Sequence, residues 1–176
     1  VSRALIEHHA ALPSTMDRAR ELAEQSAPAG MVVVADFQSA GRGTRGRIWQ
    51  APPGSCLMFT LIARPNLEPP ALADLPAAVG ASIAHYLQVA LNLDCAVKAP
   101  NDIMVGSRKL CGVLCTSKIV GERVEYVLCG IGLNSQMTAE QLPLETATSI
   151  RVELGWCPTH AELLAGLIAE LGWLVE

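Results

Sequence analysis

The hydrophobic pattern divides the chain into short runs separated by turn residues. Met31 to Asp36 is a continuous apolar, β-branched run and predicts a buried strand. Cys56 to Ala63, after the Pro52-Pro53-Gly54 turn, predicts another. Cys95 to Lys98 reads as a short strand. Lys109 to Lys118 and Val124 to Leu133 read as two strands paired around Val120-Gly121-Glu122-Arg123. Between these lie helical stretches. Ser14-Thr15-Met16-Asp17 reads as a helix N-terminus, with Ser14 as cap and Asp17 near the positive end of the dipole. That helix runs to about Ser26 and is ended by Pro28 and Gly30. Ala71 to Leu93 is an Ala-rich helix opened by Pro69-Pro70. Two more helices are expected over Thr148 to Leu154 and Pro158 to Val175. Hairpins mixed with helices favour an α+β fold over a doubly wound sheet.

Composition narrows the class. The chain has 176 residues, 51% of them hydrophobic, which suits one domain with a substantial core. Phe, Tyr and Trp are scarce, so aliphatic side chains and Ala must fill that core. A formal net charge of -4 gives no general attraction to nucleic acid or anionic membrane, so any basic site is local. Six cysteines are scattered without Cys-x-x-Cys or zinc spacing and read as reduced thiols of a cytoplasmic protein. The apolar stretch Ala71 to Leu93 is broken by Asp74, Pro76 and His85, which marks a core helix and not a membrane span. The N-terminus lacks a basic region followed by an apolar run, the pattern of a signal peptide.

Four segments could carry chemistry. Gly41 to Trp49 reads Gly-Arg-Gly-Thr-Arg-Gly-Arg-Ile-Trp. Its glycines permit a tight turn and close approach to a ligand, and its backbone N–H groups can form an anion nest. Arg42, Arg45 and Arg47 add forks suited to phosphate and carboxylate, and Trp49 could stack on an adenine. Taken alone, the same loop better suits an arginine-rich surface turn or an RNA-contacting loop. Lys98-Ala99-Pro100-Asn101-Asp102 places an amide and a carboxylate in a rigid turn, able to hold magnesium against phosphates or to be an ordinary Asx turn. Lys109, entering a strand near Gly112, can set an ammonium on a carboxylate or α-phosphate, or can protect a sheet edge. In Gly130-Ile131-Gly132-Leu133-Asn134, strand alternation puts both glycines and Asn134 on one bare face, where a flat ligand could lie, unless the glycines serve a β-bulge or close strand packing. Arg42, Arg45, Arg47, Lys98, Arg108 and Lys109 against Asp102 make a local cationic excess suited to a polyphosphate.

In order along the chain, these blocks resemble the catalytic domain of biotin protein ligases. Gly41 to Trp49 is similar to that family's glycine-arginine loop, and Lys98 to Asp102 to its Lys-Trp-Pro-Asn-Asp block. Arg108 to Leu114 is similar to Arg-Lys-x-x-Gly-Ile/Val-Leu, and Gly130 to Asn134 to Gly-Ile-Gly-x-Asn. Ser14-Thr15 and Gln38 match an early Ser-Thr pair and a Gln before the loop. The resemblance implies a mixed, mostly antiparallel sheet flanked by helices, of the class II aminoacyl-tRNA-synthetase and biotin-ligase kind. It implies biotin and magnesium-ATP as substrates, no tightly bound prosthetic group, and transfer through biotinyl-5'-AMP to a lysine of a biotin carboxyl carrier protein. It assigns Ser14, Thr15, Met16, Gln38, Gly41, Arg42, Gly43, Thr44, Lys109 and Gly112 to biotin. Arg45, Arg47, Trp49, Asn101, Asp102 and Asn134 go to ATP, with Asn101 and Asp102 near its magnesium. Arg42, Lys109 and Arg47 carry the catalytic charge.

The chain departs from the family pattern at three places. Thr44 stands where Arg is usual, Ala99 where Trp is usual, and Met16 where a polar residue is common. A looser grip on the adenylate is the expectation, since Thr supplies neither charge nor fork. Residues 1–176 are expected to form one catalytic domain, without a DNA-binding winged helix or a complete SH3-like C-terminal domain. No DNA or membrane partner is expected, and homodimers are possible because family members often pair through sheet edges. Related lipoate ligases and octanoyltransferases share the fold; a transferase would need Cys111 or Cys115 as nucleophile. A non-catalytic biotin or biotinyl-AMP binder is the other alternative.

Overall fold

The eight residues Cys56–Ala63 are buried at every position. This strand, β3, lies inside a sheet covered on both faces, which is why its sequence does not alternate. A computed structural model describes residues 5–175; residues 1–4 and 176 of the expected 1–176 domain lie outside the described residues. The other strands are β1 (Leu5–His9), β2 (Met31–Ala35), β4 (Ala96–Lys98), β5 (Asp102–Val105), β6 (Arg108–Val120) and β7 (Arg123–Asn134). They form one seven-stranded sheet in the order β1-β2-β3-β7-β6-β5-β4. Only β1 and β2 pair in parallel; every other neighbouring pair is antiparallel. The fold is therefore α+β with a mixed, mostly antiparallel sheet, as expected.

Helices cover the two faces unequally. On one face, α2 (Leu75–Leu91) and α4 (His160–Glu170) bury Val79, Ile83, Leu87, Leu163 and Leu167 against Phe59, Leu61, Cys111, Val113 and Ile131. A short helix, α3 (Ile150–Leu154), adds Ile150 to the same core. On the other face, α1 (Thr15–Glu24) packs Met16, Ala19 and Ala23 on Val33, Ile62 and Leu128. Truncating one of these large buried side chains, such as Leu128→Ala, costs about 2–5 kcal/mol. Since α1 covers only part of its face, Gly132 of β7 is left to another neighbour.

Several boundaries differ from the sequence reading. Helix α1 ends at Glu24 and not Ser26, which sits at φ 65. A 3₁₀ turn over Pro69–Ala73 precedes α2. Thr148 and Ser149 lead into α3, with the Ser149 side chain accepting from the Val152 N–H. The stretch expected as helix to Val175 breaks after Glu170 into a 3₁₀ turn at Gly172–Leu174. Strand β1 went unseen because it is an edge strand carrying Glu7, His8 and His9, with little apolar pattern to read. Strand β5 is four residues long, too short to show a period; Asp102, expected in a turn, is its first residue. Lys109 is not at a free sheet edge, because β6 is flanked there by β5 on one side and by a parallel bridge to Ala147 on the other.

Candidate active site

The first turn of α1 builds the polar end of the site. Ser14 is buried, and its Oγ accepts the Met16 N–H at 3.3 Å. Thr15 sends both its N–H (2.7 Å) and its hydroxyl (3.1 Å) to Gln38 Oε1, and accepts from Thr60 Oγ1 at 2.9 Å. Gln38 is thus held by its oxygen. Among the described residues its Nε2 meets only the Met58 sulphur, at 3.2 Å, a weak acceptor that leaves donor capacity facing the pocket. Ser14, Thr15, Met16, Gln38, Arg42, Gly43, Thr44, Lys109 and Gly112 line one small pocket of about 40 Å³. Gly41 lies outside that lining. Its role is backbone closeness, since a Cβ there would sit 2.4 Å from the Trp49 carbonyl oxygen.

The loop after Gly41 is a small hairpin. Arg42 bridges Ile48, Gly43 N–H reaches Arg47 O at 2.7 Å, and Trp49 N–H reaches Gly41 O at 2.9 Å. Arg45 (φ 57) and Gly46 (φ 74) make its left-handed tip, which a glycine adopts without Cβ strain. Arg42 Nη2 donates to Asp17 Oδ2 at 2.8 Å. Arg47 donates to the Thr44 hydroxyl at 3.3 Å and to its carbonyl at 3.4 Å, so Thr44 orients a neighbouring arginine. Arg45 points to a separate cleft shared with Lys98 and Ala99.

The bare glycine face is not bare. The Met16 side chain lies on Gly130, where a Cβ would be 2.6 Å from its sulphur. The Trp49 indole lies on Gly132 and Gly112, where Cβ atoms would be 2.6 Å and 3.0 Å from the ring. The glycines therefore make room for side chains reaching over from α1 and the loop, which alternation within β7 cannot reveal. Lys109 Nζ sits 5.6 Å from the Trp49 ring centroid, in cation–π range. The indole N–H is buried and without a hydrogen-bond partner among the described residues. Trp49 stands where the small pocket meets a larger cleft of about 420 Å³, lined by Thr44, Arg47, Lys98, Asp102, Lys109, Asn134 and the segment Pro143–Ala147.

Lys109 and Asp102 form an ion pair at 2.6 Å across β6 and β5. Lys109 therefore meets a carboxylate from its own sheet at the junction of the two cavities. Asn101 serves the backbone. Its carbonyl accepts the Val113 N–H at 2.8 Å and its Nδ2 donates to Val113 O at 3.0 Å, continuing the edge of β6 beyond β5. Its Oδ1 makes no hydrogen bond among the described residues. Asn134 donates to Thr148 O at 2.9 Å and to Lys109 O at 3.4 Å, and so fixes the cleft wall. Arg108 turns away to Glu153 at 2.8 Å and leaves the cationic set. Arg45, Arg47 and Lys98 make no ion pair among the described residues.

Sequence reading missed Asp17 as a partner of Arg42, and missed the segment Pro143–Ala147. That segment joins the cleft through Lys109 N–H to Thr146 O (2.7 Å) and Thr148 N–H to Lys109 O (2.9 Å). Nothing in its composition marks it. The two candidate nucleophiles are placed badly for acyl transfer. Cys111 is buried on the α2 side of the sheet, and burial pushes its thiol far up. Cys115 lies on that same face with its sulphur 3.7 Å from Cys129 Sγ.

Residues 9–134, which hold the site residues from Ser14 to Asn134, match the Biotin/lipoate A/B protein ligase family. The chain belongs to that family. Its relatives include the bifunctional ligase/repressor BirA of Bacillus subtilis, 33% identical over 151 residues, covering 84% of this chain and 46% of the relative. The biotin--[acetyl-CoA-carboxylase] ligase of Paracoccus denitrificans is 40% identical over 108 residues, 58% of this chain and 43% of the relative. This family member thus spans about half the length of the curated relatives it matches. Among solved structures, the biotin protein ligase of Leishmania major in complex with biotinyl-5-AMP superposes with a TM-score of 0.80 at 28% identity. That likeness covers 96% of this chain and 74% of the other.

Proposed function

We propose that this chain condenses biotin with ATP to biotinyl-5'-AMP and passes the biotinyl group to a lysine of a biotin carboxyl carrier protein. One observation carries the reading: Lys109 stands at the junction between a small polar-ended pocket, which Arg42 also lines, and a larger cleft bordered by Arg47 and Lys98. The pocket suits the ureido and ring end of the acid, with Gln38 Nε2 and the Thr15 hydroxyl as its polar contacts. The cleft suits the nucleotide, with Trp49 and Asn134 on its walls. The ligases among its relatives and the Leishmania major complex with biotinyl-5-AMP support the same substrates.

In the first half-reaction a carboxylate oxygen attacks the α-phosphorus, and the bond to pyrophosphate breaks. Two anions must meet, so catalysis rests on positioning and charge neutralisation. Arg42 faces the carboxylate, Lys109 the α-phosphate, and Arg47 the departing phosphates. Magnesium travels with ATP. Asp102 and the free Oδ1 of Asn101 are hard oxygen donors that fit a cation held mainly by phosphates. In the second half-reaction the carrier lysine attacks the anhydride carbonyl and AMP leaves.

Exchange of labelled pyrophosphate into ATP tests the reading. Biotin-dependent exchange is expected. Exchange supported by lipoate or octanoate but not by biotin would replace the acid, and binding of biotin without exchange would make the chain a non-catalytic binder.

A further inference from the structure

The hairpin 42–48 is joined to the rest of the protein by very little. Its hydrogen bonds run from Gly43 to Arg47 and from Arg47 to Thr44, all within itself. Residues Arg45 to Ile48 are exposed. Among the described residues, the one hydrogen bond or ion pair leaving this segment is Arg42 to Asp17. Asp17 sits in the first turn of α1, directly after the pocket residues Ser14, Thr15 and Met16. It takes one N–H of Arg42 Nη2. The remaining guanidinium donors stay available to an anion in the pocket.

We propose that Asp17 is the positioning residue of the site: it tethers the hairpin and aims Arg42 at the carboxylate of the bound acid. This rests on the proposed acid-activating function, but the tether does not. Both side chains are part-exposed, so the pair acts within the range of exposed ion pairs. Cleavage of ligand-free protein by an arginine-specific protease at Arg45 and Arg47, read by mass spectrometry, reports the tether. Asp17→Ala should speed that cleavage about two- to five-fold, as expected for losing an exposed pair. Asp17→Glu should restore it, and in an Arg42→Ala background Asp17→Ala should have no further effect. Unchanged cleavage in Asp17→Ala, or an undiminished effect without Arg42, overturns the tether. In the exchange assay, Asp17→Ala should raise KM for the acid about two- to five-fold with kcat nearly constant, since ground and transition states lose the same contact. A lower kcat at unchanged KM, or failure of Glu to rescue, overturns the aiming role while leaving the cleavage result standing. Absence of exchange in the parent chain would count against the proposed function alone.

A separate feature lies on the opposite face. Cys115 and Cys129 stand directly across β6 and β7. Val113 bonds outward, to Asn101, through both its N–H and its C=O. Its neighbour Leu114 must then bond toward β7, so the Val113–Ile131 and Cys115–Cys129 pairs are the non-hydrogen-bonded kind. In such pairs Cα atoms are about 4.5 Å apart, inside the range a disulfide spans. The sulphurs are already 3.7 Å apart. Cys129 is fully buried, whereas Cys115 is partly exposed beside the Lys98–Asp102 cleft, past the end of β5.

We further propose that these two thiols form a reversible cross-strand disulfide. Cys115 thiolate attacks a low-molecular-weight disulfide such as oxidised glutathione and expels one glutathione thiol. Cys129 then gives up its proton, attacks the mixed disulfide and expels the second. Folded protein treated with oxidised glutathione should lose two of its six titratable thiols. It should yield a peptide pair linked at 115 and 129, reversed by dithiothreitol. Cys129→Ser should stop at the mixed disulfide on Cys115. No linked pair, a pair formed only in urea, or no glutathione adduct on Cys129→Ser overturns the proposal.

Discussion

Replacing Gly132 by Ala tests whether Trp49 rests on the sheet. The backbone there is ordinary extended strand, so the substitution carries no left-handed strain. The whole effect is steric. The new Cβ would lie 2.6 Å, 2.8 Å and 3.0 Å from three atoms of the Trp49 ring. Carbon pairs settle near 3.5–4.0 Å, so the ring must withdraw by about 1 Å. A fused ring cannot bend away, and overpacking of this kind costs about 1–3 kcal/mol. The displaced indole also loosens from Cys56, Met58 and Met137 and from the ammonium of Lys109. If half of that cost falls on the activated complex, biotin-dependent pyrophosphate exchange drops about two- to tenfold, since each 1.4 kcal/mol is a factor of ten. The assay pairs exchange rates with Trp49 emission in a Trp156→Phe, Trp173→Phe background, both of those residues being exposed. Gly130→Ala is the internal comparison. Its Cβ meets the flexible Met16 sulphur at 2.6 Å, so the thioether can swing aside and the loss should be smaller. Gly166→Ala, 2.2 Å from the Tyr86 ring, should lower stability without changing activity per folded molecule. Parent-like exchange and unchanged Trp49 emission in Gly132→Ala would refute the placement of the indole.

Other outcomes follow from the same geometry. Thr44→Arg should slow dissociation of biotinyl-5'-AMP, because a planar cation fork replaces a hydroxyl; an unchanged off-rate removes the idea that Thr44 loosens the site. Lys109→Met should reduce exchange about 10²–10³-fold, the scale for losing one aimed charge donor, and should leave Asp102 without its partner. Retention of more than a tenth of the parent rate would remove Lys109 from the α-phosphate. His160, half-buried with Nε2 2.6 Å from Ser135 Oγ, has its pKa lowered from 6.5 by burial. The unfolded chain therefore binds that proton first as pH falls. Stability is complete above about 6.5 and declines as pH drops through the folded pKa. His160→Asn should flatten that acid slope in urea titrations; an unaltered slope would show that other groups set it.

Sequence alone determined the parts of this protein that depend on local chemistry. Buried strands such as β2 and β3 show as unbroken apolar runs, and Ser14 announces α1 because a helix start needs a side-chain acceptor. The ordered blocks from Ser14 to Asn134 were enough to suggest the family and the candidate ligand residues. Only tertiary structure decided which groups share a pocket and which oppose each other. The Arg42–Asp17 pair joins residues 25 positions apart, and Lys109–Asp102 depends on the register of two strands. The segment Pro143–Ala147 enters the cleft through backbone bonds that any sequence could make. Gly130 and Gly132 looked like an open platform because strand alternation reports which face a residue occupies. It does not report that Met16 and Trp49 arrive from other elements to cover that face.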